Sequence, residues 1–90
     1  MTGTTPPPIA ALAPTDLILT EYDRAHVTAY LRLLDAAAAS APWQEVAQIV
    51  LGLETSVDPQ GAHSTYASHL ARAQWLVANG FRELLKPRGE

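Results

Sequence analysis

The chain has no cysteine, which excludes disulfides and thiolate metal sites and suits a reducing compartment. It has no apolar run near the roughly 20 residues that cross a membrane. Its beginning shows no basic stretch followed by an apolar segment and a cleavage site. The expectation is a cytoplasmic protein with no membrane partner. Cations are scarce, six Lys and Arg against nine Asp and Glu, for a formal net charge of -3. Up to Asp58 the carboxylates Asp16, Glu21, Asp23, Asp35, Glu45, Glu54 and Asp58 face only Arg24 and Arg32. From Pro59 onward the balance reverses, with Arg72, Arg82, Lys86 and Arg88 against Glu83 and Glu90. A duplex binder gains its sequence-independent affinity by neutralising phosphates with Lys and Arg, so this composition disfavours DNA without excluding it. Signatures of catalysis are missing too. There is no glycine-rich phosphate loop, no nucleophile elbow and no pair of histidines one helical turn apart. His63 and His69 are six positions apart and His26 is distant. Nothing in the spacing of Asp35 and Glu45 demands that the two carboxylates meet. The expectation is a protein that is not an enzyme and takes neither cofactor nor metal.

What is present fits a small helical domain. Ninety residues make at most one domain, whose core must be compact. Residues 1–15, with Thr-Gly-Thr-Thr-Pro-Pro-Pro and then a short alanine-rich apolar piece, read as a disordered or loosely docked tail. Residues 16–90 read as the domain. Leu17, Ile18 and Leu19 are too short a run to classify by period and can cross the core as extended chain.

Helical periodicity organises the rest. Thr20 is a plausible N-cap, followed three residues later by Asp23, for a long helix running to about Ala39. Its buried stripe is Val27, Tyr30, Leu31 and Leu34. Ser40-Ala41-Pro42 ends that helix and starts a second, which runs to Leu51 and is stopped by Gly52. Trp43, Val46, Ala47 and Val50 point inward there, with Ile49 alongside. After a loop with Pro59, a third helix begins near Gly61 or Ala62. On it Tyr66, Leu70, Ala73 and Val77 share a face, widened by Leu76. Asn79-Gly80 supplies a left-handed stop, and a helical stub folds Phe81, Leu84 and Leu85 back on the core before Pro87. Trp75 and Trp43 are expected to pack between helices rather than to hold a ligand. The fold expected is an all-α, single-domain helical bundle, helix-turn-helix-like, with a flexible N-terminal tail.

Three further readings bear on function at this level. His69 beside Leu70 suits a half-buried histidine bonded to a carbonyl better than a switch or a base. Arg72 can pair with an acid from the earlier helices or meet a partner. The acidic set Glu45, Glu54 and Asp58 has no bases nearby in sequence and can complement a basic protein surface. With His63, His69 and Arg72 it forms the expected partner-binding set.

A resemblance adds to this reading. Tyr30-Leu31-Arg32-Leu33-Leu34-Asp35-Ala36, Trp43-Gln44-Glu45-Val46-Ala47 with Val50-Leu51-Gly52, and Ser68-His69-Leu70-Ala71-Arg72-Ala73-Gln74-Trp75 with Gly80-Phe81-Arg82-Glu83-Leu84-Leu85 resemble a proteobacterial helix-turn-helix variant family. That family was formerly a domain of unknown function. It includes the FseA-type activators of integrative and conjugative element transfer and the RovC-type regulators of type VI secretion. The resemblance covers about Leu19 to Leu85. A stand-alone chain this short with an acidic first half is most similar to the family's quorum-sensing antiactivators. The implied function is to bind and inhibit transcriptional activators, LuxR-type TraR and FseA-type, and so to restrain horizontal gene transfer. The family's DNA binders carry extra arginines where the third helix begins, whereas here that stretch is Asp58-Pro59-Gln60-Gly61-Ala62-His63-Ser64-Thr65. The alternative is a small DNA-binding regulator that uses Ser64, Thr65, Ser68, His69 and Arg72, with Arg82, Lys86 and Arg88 on the backbone.

Overall fold

Thr20 stands in extended backbone and closes a capping box: its hydroxyl accepts from the Asp23 amide, while the Asp23 carboxylate accepts from the Thr20 amide. Two orphan donors are thereby satisfied and helix α1, Glu21–Ala25, begins where the sequence places it. The computed structural model describes residues 9–79. In it the chain continues through α2, Val27–Ala38, α3, Trp43–Leu51, and α4, Pro59–Asn79. The described residues form an all-α bundle in which α2, α3 and α4 pack on one another.

The long first helix of the sequence reading is two helices. At His26 the backbone leaves helical geometry, and the Tyr22 carbonyl accepts both the His26 amide and its Nδ1–H. The imidazole stacks on Tyr22 at 4.1 Å between ring centroids. A buried side chain competing for a helix carbonyl is the local cause of the break.

α2 ends in a Schellman arrangement, with Ser40 N–H on the Ala37 carbonyl and Ala41 N–H on that of Ala36. Ser40 occupies the left-handed position at φ 59, which glycine adopts without the Cβ penalty of about 1–2 kcal/mol. Ser40→Gly should therefore stabilise the domain by up to about 1 kcal/mol, read as an upward shift of the urea midpoint at constant slope. Gly52 already fills the equivalent role after α3, at φ 68. α4 starts with Pro59 in the first position and the Asp58 carboxylate on the Gly61 amide at 3.1 Å, two residues earlier than the sequence reading has it.

The core consists of Tyr30, Leu33, Val46, Leu51, Ala73 and Leu76. Leu34, Val50, Tyr66, Leu70 and Trp75 pack partly buried around it. Three core expectations are corrected. Leu31 is 52% and Val77 57% exposed, because each helix is turned by about one position from the reading: α2 buries Leu33, and α4 buries Ala62, Thr65, His69, Arg72 and Leu76. Trp43 is half-buried but packs edge-on to His63 and beside Tyr66 rather than in the core. Ile49 is likewise outside, at 73% exposure. Leu17 and Ile18 point to solvent, and only Leu19 of that run packs on the core. Residues 9–15 lie against the helices: Ile9 packs on the core and Ala13 is buried. Phe81, Leu84, Leu85 and the Gly80 stop lie outside the described residues.

Candidate functional site

The buried face of α4 is polar, and its chemistry converges on α1. Arg72, 4% exposed, donates from Nε to one oxygen of Asp23 at 3.0 Å and from Nη2 to the other at 2.7 Å. Its remaining donors reach main-chain carbonyls, Nη1 to Asp16 at 2.6 Å and Nη2 to Ile18 at 2.9 Å. The guanidinium also lies 4.2 Å from the Trp75 ring centroid. Asp23 has no exposed surface, and besides Arg72 it accepts from the Tyr30 hydroxyl at 2.9 Å and from the Thr20 amide and hydroxyl. Burial alone would raise the Asp23 carboxyl, but the hydrogen bonds from Arg72, Thr20 and Tyr30 outweigh it and hold it below the usual carboxylate range. The Asp23 hydrogen bond raises Arg72, and burial together with the neighbouring carboxylate raises Tyr30. Every polar side-chain atom that is buried among the described residues has a partner. The assembly is thus a closed electrostatic centre whose polar atoms are all partnered within the fold.

One turn before Arg72, His69 is also fully buried. Its Nδ1 lies 2.7 Å from the Thr65 carbonyl, which can only accept, so Nδ1 carries the proton. Nε2 then accepts from the Tyr22 hydroxyl, and that hydroxyl accepts in turn from the Ala10 amide at 2.9 Å. Burial pushes His69 below the ordinary imidazole value, and the neighbouring His26 adds to the effect. Burial raises the Tyr22 phenol.

The expected partner-binding residues divide into two groups. His69 and Arg72 are buried, so the structure removes them from any contact surface: Arg72 pairs with Asp23, and His69 is bonded to a carbonyl as one of its readings had it. Glu45, Glu54, Asp58 and His63 are exposed. Asp58 and His63 line one open surface groove with Trp43, Gln60 and Ser64, and His63 meets the Trp43 ring edge-on at 4.7 Å. Glu45 stands in the first turn of α3, and Glu54 lies in the 52–58 connection. Of the α4 residues in the DNA-binding alternative, Ser64 alone is exposed; Ser68 is half-buried and Thr65 is buried, its hydroxyl donating to the Gly61 carbonyl.

Asp23 is the residue that the sequence reading understated, since it enters there only as a cap. The signal was present. Thr65, His69, Arg72 and Leu76 recur at spacings of four, three and four, a helical face as regular as the apolar one beside it. Among the described residues no group of three or more histidines and acids comes together to hold a metal, and no helix is long and apolar enough to cross a membrane. No protein-family model matches this chain, and no curated protein matches it.

Proposed function

We propose that the chain is an antiactivator, a small protein that binds transcriptional activators and keeps them from acting on DNA. The observation that carries this reading is the fate of Arg72, the sole Lys or Arg of α4, whose charge is spent on Asp23 inside the fold. The outward side of the longest helix, at Gln60, His63, Ser64, Ala67, Ala71 and Gln74, carries no Lys, Arg, Asp or Glu. The exposed cations of the described residues are Arg24 and Arg32, and Arg24 lies 3.8 Å from Glu21. Against them stand six exposed carboxylates, Asp16, Glu21, Asp35, Glu45, Glu54 and Asp58. Such a surface repels phosphates and attracts the basic face of a DNA-binding protein. The resemblance to the activator family supplies the partner class: LuxR-type TraR and FseA-type activators of conjugative transfer.

The groove around Trp43 is the contact surface of this reading. An indole, an imidazole and the Asp58 carboxylate together suit the lysine or arginine side chains of such an activator. Mixing the protein with a purified activator on its promoter DNA should abolish the shifted band. An activator–DNA complex that persists unchanged defeats the proposal, as does steeply salt-dependent binding of the chain itself to that promoter. Glu45→Lys combined with Glu54→Lys should weaken activator binding about tenfold at low salt, from two rim charges worth about 0.2–1 kcal/mol each. Asp58 is left intact in that variant because its carboxylate caps α4. Unchanged affinity, measured by titration calorimetry, would remove the electrostatic contact.

A further inference from the structure

We propose that residues 9–15 form a latch on the helical bundle, held closed by the neutral form of His69 and released when that imidazole gains a proton. This goes beyond the proposed function, since it concerns how one covering segment of the fold is controlled.

The latch has no helix of its own. Two main-chain donors tie it down, Ala10 N–H to the Tyr22 hydroxyl and Ala13 N–H to the Ser68 hydroxyl, each at 2.9 Å. Both acceptors adjoin His69: Tyr22 donates to Nε2, and Ser68 precedes it in the chain and donates to the same Thr65 carbonyl that takes Nδ1–H. The sequence of bonds therefore has one direction, from Ala10 N–H through the Tyr22 hydroxyl to Nε2. A proton on Nε2 reverses its last link. The imidazolium becomes a donor at both nitrogens, so the Tyr22 oxygen must accept from it and turn its own hydrogen elsewhere, in competition with the Ala10 amide. The new charge also sits in a fully buried ring, where desolvation favours whichever opening lets water reach it.

Among the described residues, the groups facing His69 add no compensating carboxylate at contact distance. Tyr22 of α1 lies at 5.7 Å and Tyr30 of α2 at 6.4 Å between ring centroids. His26, between those helices, disfavours a positive charge on His69. Asp23 of α1 is already committed to Arg72, the cation one turn further along α4. Tyr22, which donates to the ring, also holds the latch, and beyond the latch residues 16–18 stay anchored by Arg72 through the Asp16 and Ile18 carbonyls. Those two bonds place the hinge next to Asp16.

The sign follows from linkage. A closed state that binds the proton less readily than the open one loses stability as pH falls below the ordinary imidazole value of about 6.5. The Asp23 carboxylate, held below its own ordinary value of about 3.9, keeps the core intact through that window, so latch and core separate on the pH axis.

The test is amide relaxation by NMR on the full chain between pH 7 and pH 5. Order parameters of Ala10 and Ala13 should fall from about 0.85 to below about 0.6 while that of Leu33 stays high. His69→Gln, which cannot charge, should hold Ala10 and Ala13 rigid across the range. Wild-type values that stay flat to pH 5 overturn the proposal. So does a loss that coincides with loss at Leu33, or one that survives in His69→Gln. Should that variant not fold, the wild-type contrast between Ala13 and Leu33 decides alone.

Discussion

Asp23→Asn is expected to cost about 3–5 kcal/mol, because it removes one charge of a buried pair and leaves the other without compensation. Both side chains are under 5% exposed, so water cannot replace the lost partner. The Asn amide keeps an oxygen for Thr20 or Tyr30, but it cannot meet the two-pronged donation of Arg72 at 3.0 and 2.7 Å. A domain of this size is held by about 5–15 kcal/mol, so the variant loses a large share of its stability and melts far below the wild type. Urea unfolding followed by circular dichroism measures the loss. A cost below about 1 kcal/mol would place the pair in solvent rather than in the core. The same pair sets the acid limit. The Asp23 carboxyl sits below its unfolded value, so its contribution is complete above about pH 4 and disappears as pH falls through the folded value.

The second large effect discriminates between neighbouring positions. Leu33→Ala and Leu76→Ala should each cost about 2–5 kcal/mol, since both side chains have no exposed surface and their loss leaves a cavity at the contact of α2 with α4. Leu31→Ala and Val77→Ala, at residues 52% and 57% exposed, should each cost about 0.5 kcal/mol or less. The contrast is read from urea midpoints of the four variants. Leu31→Ala costing as much as Leu33→Ala, or Val77→Ala as much as Leu76→Ala, would put Leu31 or Val77 in the core after all.

That contrast marks where the sequence was legible and where it misled. Three boundaries came through because they rest on local chemistry, Thr20 with Asp23, Pro42 before α3 and the left-handed Gly52, whereas the break at His26 and the start of α4 at Pro59 did not. The all-α class came through for the same reason. The facing of α4 did not, because apolar periodicity assumes that the inside is apolar. His69 and Arg72 face inward since Tyr22, Asp23 and the Asp16 and Ile18 carbonyls satisfy them there, and those partners lie some fifty positions away in sequence, while Thr65 turns its hydroxyl back to the Gly61 carbonyl of its own helix. Arg72 is the clearest case, since its two readings, internal pair or partner contact, differed only in tertiary placement. The acids were easier to place: Glu45, Glu54 and Asp58 are exposed as expected, because unpaired carboxylates rarely leave water.

The Asp23–Arg72 contact joins residues 49 positions apart, so closing it means ordering a long loop with little local reward. α2, α3 and α4 can bring their leucines together through connections of only a few residues. Arg72 is therefore expected to reach Asp23 as α4 settles on α2, since the leucine contact of those helices brings the two together. Arg72 then gathers Asp16 and Ile18, which makes residues 9–19 the last part of the described chain to take its place during synthesis or refolding.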